Sequence, residues 1–226
     1  MGPILISFSG IDGAGKSTQI QQLKAHLAEA GIPVRGFAFW DDVVVWSRLR
    51  SEFSKRVLQS DGKIGTPERP SERRDKNVQS WPLLLVRCGL YLGDTLSLRR
   101  VIRHAKSETA GVVIFDRYIY DQLAALPLHT RVARGFARFL LKLAPRLDIS
   151  YVLDAVPEEA RARKPEYPLQ FLERYRSSYL ALRDLAPLEL IPAGTPEDVH
   201  SAIVNRLQQY TMDATREARL SSAVVA

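Results

Sequence analysis

Residues 4–19 read ILISFSGIDGAGKSTQ: a short apolar run, then glycines at 10, 13 and 15, then Lys16, Ser17 and Thr18. No other stretch of the chain restricts its fold as much. A β-rich apolar run that ends in glycine is the pattern of a buried parallel strand. The residues after Lys16 place Ile20, Leu23 and Leu27 at helical spacing, and Gly31 is a stop signal. Strand, glycine turn and helix in that order call for a βαβ-type architecture, because a parallel strand needs a crossover to reach its neighbour.

The rest of the chain repeats the alternation. "PVRGFAF" (33–39), "GVVIFD" (111–116), "DISYVLD" (148–154) and "LELIPA" read as further strands. Between them lie helical patterns: "PLLLVRCGLYLGDTLSLRRVIRHA", a basic amphipathic segment over 130–143, "PEEARARK", "LQFLERYRSSYLALRDL" and "PEDVHSAIVNRLQQY". A short helix after Trp46 is expected, and residues 59–81, polar and rich in charge and proline, are expected to form a long variable loop. The fold class is therefore α/β with a parallel sheet. One domain over 1–210 accounts for the pattern, with a mobile lid at about 157–168 where "KPEYP" breaks a helix, and a frayed tail over 211–226.

Composition narrows the setting. A single cysteine, Cys88, excludes an internal disulfide and fits a reducing compartment, so a cytoplasmic protein is expected. No apolar run approaches the ~20 residues of a membrane helix. The formal net charge of +7 suits an anionic ligand, but the basic residues are scattered and carry no aromatic-interleaved patch. Neither a nucleic-acid partner nor a membrane is expected.

Gly10 to Ser17 fits the pattern G-x-x-x-x-G-K-[ST]. Such a loop lets Gly10, Asp12, Gly13, Ala14 and Gly15 wrap their backbone around phosphate, with Thr18 in the first turn of the helix behind it. Lys16 would reach the β- and γ-phosphates of a nucleotide, and Ser17 would ligate Mg²⁺. Asp12 is either a turn former or a negative charge placed beside metal or acceptor. In "VVIFDRYIYDQLA", Asp116 ends a strand on the sheet edge where α/β proteins bind ligands. It can hold Mg²⁺ or touch an acceptor hydroxyl; Arg117 can fork onto a phosphate. Gln122 carries an amide suited to a pyrimidine edge. Arg161, Arg163 and Lys164 are cations that can close over a transferring phosphoryl group. Arg73 and Arg74, in "ERRDKNV", can grip an anionic acceptor.

Taken together, "FSGIDGAGKSTQIQQLKAHLAEAG", "VVIFDRYIYDQLA" and "ARARK" resemble the thymidylate kinases and their relatives over roughly residues 4–210. The resemblance implies a P-loop nucleoside monophosphate kinase with a five-stranded parallel sheet, using ATP and Mg²⁺ to phosphorylate dTMP, and a homodimer. By position it implies that Lys16 and Ser17 hold ATP and metal. Asp12 would lie near metal and acceptor, Arg117 would contact the acceptor phosphate, and Arg161 and Arg163 would belong to the lid. The loop "DGAG" lacks the arginine that some members carry, which gives charge stabilisation to a lid arginine. The chain departs from the family at Ser9, where glutamate is common, and at "FWDDVVVWSRLR" after the second strand. The helix "LLLVRCGLYLGDTLSL" has no clear match to the family's thymine-reading residues. Two other readings stay open: a kinase for a different nucleotide or non-nucleotide acceptor, and a nucleotide-binding switch without turnover.

Overall fold

The computed structural model describes residues 2–44, 81–108 and 110–225. The helix expected after Trp46, Arg73, Arg74 and residues 59–80 of the expected loop lie outside the described residues. Five strands form one sheet: β1 (Ile4–Ser9), β2 (Val34–Ala38), β3 (Val112–Asp116), β4 (Ile149–Leu153) and β5 (Glu189–Ile191). Their order is β2-β3-β1-β4-β5 and every pairing is parallel. The helices are α1 (Lys16–Glu29), α2 (Trp81–Glu108), α3 (Ile119–Leu123), α4 (Arg131–Leu143), α5 (Pro157–Arg163), α6 (Leu169–Leu182) and α7 (Pro196–Val225). A π-helical turn, Phe39–Val43, follows β2, and the Asp42 carboxylate accepts from the Ala38 backbone N–H at 2.6 Å.

The period of two along the strands divides the core into two layers. On one face Leu5, Val113, Phe115 and Val152 pack with residues from α2 to α6. On the other, Ile6, Phe8, Ile114, Tyr151 and Leu153 pack with Leu23 and Leu27 of α1 and Ile203 and Leu207 of α7. Burial on both faces explains why the strands read as near-continuous apolar runs. Tyr118 and Tyr120, just after β3, join the core, and the Tyr118 hydroxyl donates to the Pro145 carbonyl at 2.6 Å.

The register fixes where chemistry can occur. Phe8 sits opposite Asp116 and Ser9 opposite Val152, so the carboxyl ends of β1, β3 and β4 open on the same edge. From β1 the chain reaches β2 and β3 on one side and β4 and β5 on the other. This reversal makes a crevice at the end of β1, the standard ligand position in open α/β sheets.

The stretch read as a tail differs in local structure from that expectation: α7 is helical to Val225. Its end carries helix formers such as Ala214, Arg216 and Ala218, and continuing an existing helix costs far less than nucleating one. Met212, in the first turn of that stretch, is 69% exposed.

Candidate active site

The turn between β1 and α1 is shaped by close approaches. Gly10 has φ 140°, and a Cβ there would meet the Leu153 carbonyl oxygen of β4 at 2.6 Å. Gly13 has φ 86°, and a Cβ there would lie 2.1 Å from the Ala160 carbonyl oxygen. Both conformation and space demand glycine. The second contact has a further consequence: α5 rests its backbone on the loop, so the segment bearing Arg161 and Arg163 starts from the loop's rim. Gly15 caps α1 without a side chain, leaving first-turn backbone N–H groups for an anion, and the helix dipole adds to the attraction. Ser17 and Thr18 are exposed in that first turn.

Lys16 is folded over the loop, with its ammonium donating to the carbonyls of Gly10 and Ile11, each at 2.8 Å. It is 7% exposed. Burial, then the nearby Arg117, lower its pKa to about 8 against the opposing pull of Asp12, Asp121 and Asp116. A lysine so poorly solvated gains much from a phosphate that restores its countercharge.

Arg117 follows β3 with φ 70°, and its backbone N–H donates to the Phe8 carbonyl at 2.9 Å. Among described non-glycine residues it alone has positive φ, a strain that turns its side chain toward the loop after β1. Nη1 donates to Asp121 Oδ1 at 2.9 Å and Nη2 pairs with Asp12. Burial opposes the charge, but the Asp121 and Asp12 carboxylates outweigh it and hold the guanidinium firmly protonated. Asp116 stands half-buried at the end of β3, close enough to Lys16 to act on its charge.

The structure thus brings Gly10, Asp12, Lys16, Asp116 and Arg117 together. Arg161 and Arg163 lie on α5, with Arg163 in an exposed pair with Glu159 at 3.4 Å. Arg161 adjoins Ala160, whose carbonyl touches the loop. Gln122 differs from expectation. It is 1% exposed, and its amide donates to Asp94 Oδ2 of α2 at 2.5 Å. Its amide oxygen is buried and has no hydrogen-bond partner among the described residues. Arg73 and Arg74 lie outside the described residues.

Sequence reasoning missed Asp121. Its carboxylate accepts from the Ser9 hydroxyl at 2.7 Å, the Tyr179 hydroxyl at 2.7 Å and the Tyr118 backbone N–H at 3.2 Å, besides Arg117. Its i,i+4 spacing from Arg117 was a usable local signal. Ser9 and Tyr179, distant in sequence from it, had none. Asp154 was missed as well: it takes Arg176 of α6 bidentately at 2.5 and 2.8 Å, tying the end of β4 to α6 on either side of α5.

The described residues contain no cluster of three or more His, Cys, Asp or Glu able to hold a metal by themselves. The Ser17 hydroxyl in the exposed first turn of α1 and the Asp116 and Asp12 carboxylates beside Lys16 are oxygen donors of the kind Mg²⁺ takes together with phosphate and water.

A glycine loop at the switch point of a parallel sheet, backed by a buried lysine, defines a P-loop nucleotide-binding protein. No family model matches the chain. It is 26% identical over 213 residues to a probable thymidylate kinase of Methanosphaera stadtmanae, covering 91% of this chain and 97% of that protein. It is 28% identical over 233 residues to a thymidylate kinase of Chlorobaculum parvum, covering 91% and 95%. The crystal structure of thymidylate kinase from Ehrlichia chaffeensis has the same fold, with a TM-score of 0.58 at 17% identity, covering 92% of this chain and 99% of that one. The chain belongs to the thymidylate kinase-like family of P-loop nucleoside monophosphate kinases.

Proposed function

We propose that this protein transfers the γ-phosphoryl group of ATP to dTMP, giving dTDP and ADP. The observation that carries the reading is the Arg117 guanidinium, held at the mouth of the phosphate loop between Asp12 and Asp121. A cation fixed there, opposite Lys16, gives the crevice separate grips for donor and acceptor phosphates. Lys16 holds the donor's β- and γ-phosphates, while the loop and first-turn amides wrap them. Arg117 forks onto the acceptor phosphate and brings its oxygen into line with the γ-phosphorus. Arg161 and Arg163 then meet the charge that spreads over the transferring group, which is where an arginine accelerates phosphoryl transfer most. Ser17 and Asp116 would hold a Mg²⁺ carried in with the nucleotide, which would supply neutralisation of phosphate charge.

The full assembly in this reading is a cytoplasmic homodimer. Leu85 and Val86 on α2 and Val132 and Phe139 on α4 are exposed large apolar residues available to an interface. Among the described residues no helix is long and apolar enough to cross a membrane.

The test is ADP formation with dTMP, AMP, CMP, GMP and UMP side by side. The expected result is the highest kcat/KM with dTMP. ADP formation with another acceptor and none above the ATPase background with dTMP would reject dTMP as substrate. Sedimentation analysis of the purified protein tests the dimer.

A further inference from the structure

Arg117 is gripped on both sides, and the two grips differ. Asp121 is buried, its side chain only 2% exposed, whereas the side chains of Asp12 and Arg117 are 14% and 22% exposed. Four donors converge on Asp121: Ser9 Oγ from β1, Tyr179 Oη from α6, Tyr118 N, and Arg117 Nη1. A carboxylate has about four lone-pair sites, so this one is saturated. Moving it would break bonds to three elements and strand a buried charge. Asp12 instead sits on the glycine turn, where small backbone rotations redirect its side chain.

We propose that Asp121 is a positioning residue that anchors the inner side of Arg117 throughout the cycle, and that Asp12 is an exchangeable cap on its outer side, displaced by an anionic phosphate group of the acceptor. The acceptor part of this proposal rests on the phosphotransferase reading above; the anchor itself does not. The arrangement resolves a conflict of charge. An acceptor phosphate entering beside Asp12 would meet an anion, and displacement of Asp12 both removes that repulsion and opens Nη2. Asp121 keeps the guanidinium plane in place during the exchange, so the fork is preformed. Ser9 takes part by holding Oδ2. A glutamate at that position would put a second carboxylate against Asp121, so the serine and the aspartate are matched.

The anchor is tested without any substrate, from the guanidinium ¹⁵N resonances of Arg117 in the full chain. Slow rotation about the Cζ–Nη1 bond is expected in wild type and in Asp12→Asn, with rapid averaging in Asp121→Asn. If Asp12→Asn frees the inner side, or Asp121→Asn leaves it fixed, the anchor assignment is wrong. Tyr179→Phe removes one donor and leaves the charge, so it serves if Asp121→Asn does not fold. Partial averaging supports the anchor; an unchanged spectrum counts against it. The exchange is tested by adding dTMP to wild type. Loss of the Asp12 contact from Nη2 with the inner side unchanged is expected, and retention of that contact at saturating dTMP overturns the exchange. In kinetics with dTMP, Asp121→Asn should raise acceptor KM about tenfold or more, with ATP KM within about twofold. A merely structural role would raise both together. Wild type that neither binds nor phosphorylates dTMP would refute the substrate reading and the exchange, while the ligand-free resonances still decide the anchor.

Discussion

The phosphate loop and the Arg117 cluster meet at one sheet edge but are built in opposite ways. The loop is local: nine consecutive residues, Gly10 to Thr18, shape it, and what it offers an anion is mainly backbone N–H groups. The cluster draws on β1, the loop, the turn after β3, α3 and α6, and its contacts come from side chains. A backbone site depends on conformation, so glycines at set spacing specify it. A side-chain site depends on tertiary neighbours, so no short segment contains it. The same difference separates their expected roles, donor binding from acceptor binding, and substitutions can be chosen to pull the two apart.

The largest effect is expected on the donor side. Lys16→Ala should lower kcat by on the order of a thousandfold, because it deletes a poorly solvated cation from the β,γ-phosphate position. The fold should survive, since the ammonium is held by only two loop carbonyls. Near-normal turnover by a variant with an unchanged melting temperature would break the donor assignment.

The arginines of α5 should give the next largest effect. Arg161→Ala is expected to reduce kcat by on the order of a hundredfold, with little change in ATP affinity, as for an arginine acting on transition-state charge. Arg163→Ala should do less, because Arg163 lies in an exposed pair with Glu159 at the C-terminal end of α5. Wild-type kcat in the double variant would reduce α5 to a cover for the loop. Arg117→Ala separates the two regions directly. Acceptor KM should rise about tenfold or more while ATP KM stays within about twofold. Weakened ATP binding with unchanged acceptor kinetics would invert donor and acceptor sides.

Much of the fold was legible because both faces of the sheet are buried. The runs ILISFS, VVIFD and ISYVL are apolar throughout, and each emerges as a strand within a residue or so of its expected limits. The loop was legible because Gly10 and Gly13 answer to positions where a Cβ collides with backbone. Asp116 and Arg117 stood out in the sequence because they end and directly follow a recognisable strand. Gln122 shows the limit of such reasoning. Its distance from the motif placed it near the crevice, but helical rotation sent its amide into the interior against Asp94, a partner 28 residues away. Tyr179 had no local mark at all: in sequence it is one aromatic among several on α6, and only folding sets its hydroxyl against Asp121.

The smallest effect concerns the titration of Lys16 and tests whether the donor side is electrostatic at root. Its pKa of about 8 in the free protein, against 10.5 for an unperturbed lysine, means the ammonium loses its proton as pH rises past about 8. Bound ADP should restore the proton by placing negative charge beside it. Binding above pH 8 therefore takes up a proton, and ADP affinity should fall by up to about tenfold between pH 7 and 9. Calorimetry with metal-free ADP in two buffers of different ionisation enthalpy measures that uptake. The same shift has the opposite sign in ligand-free stability. Burying the charged lysine is a penalty fully present below about pH 8 and relieved between there and 10.5. Over that window the unfolded chain binds more protons, so this residue makes stability rise with pH. Lys16→Met should abolish both the proton uptake and the rise. The Arg117 cluster should contribute to neither, since its guanidinium is held protonated throughout. Proton uptake that persists in Lys16→Met would place the titrating group elsewhere and break the electrostatic contrast between the two regions.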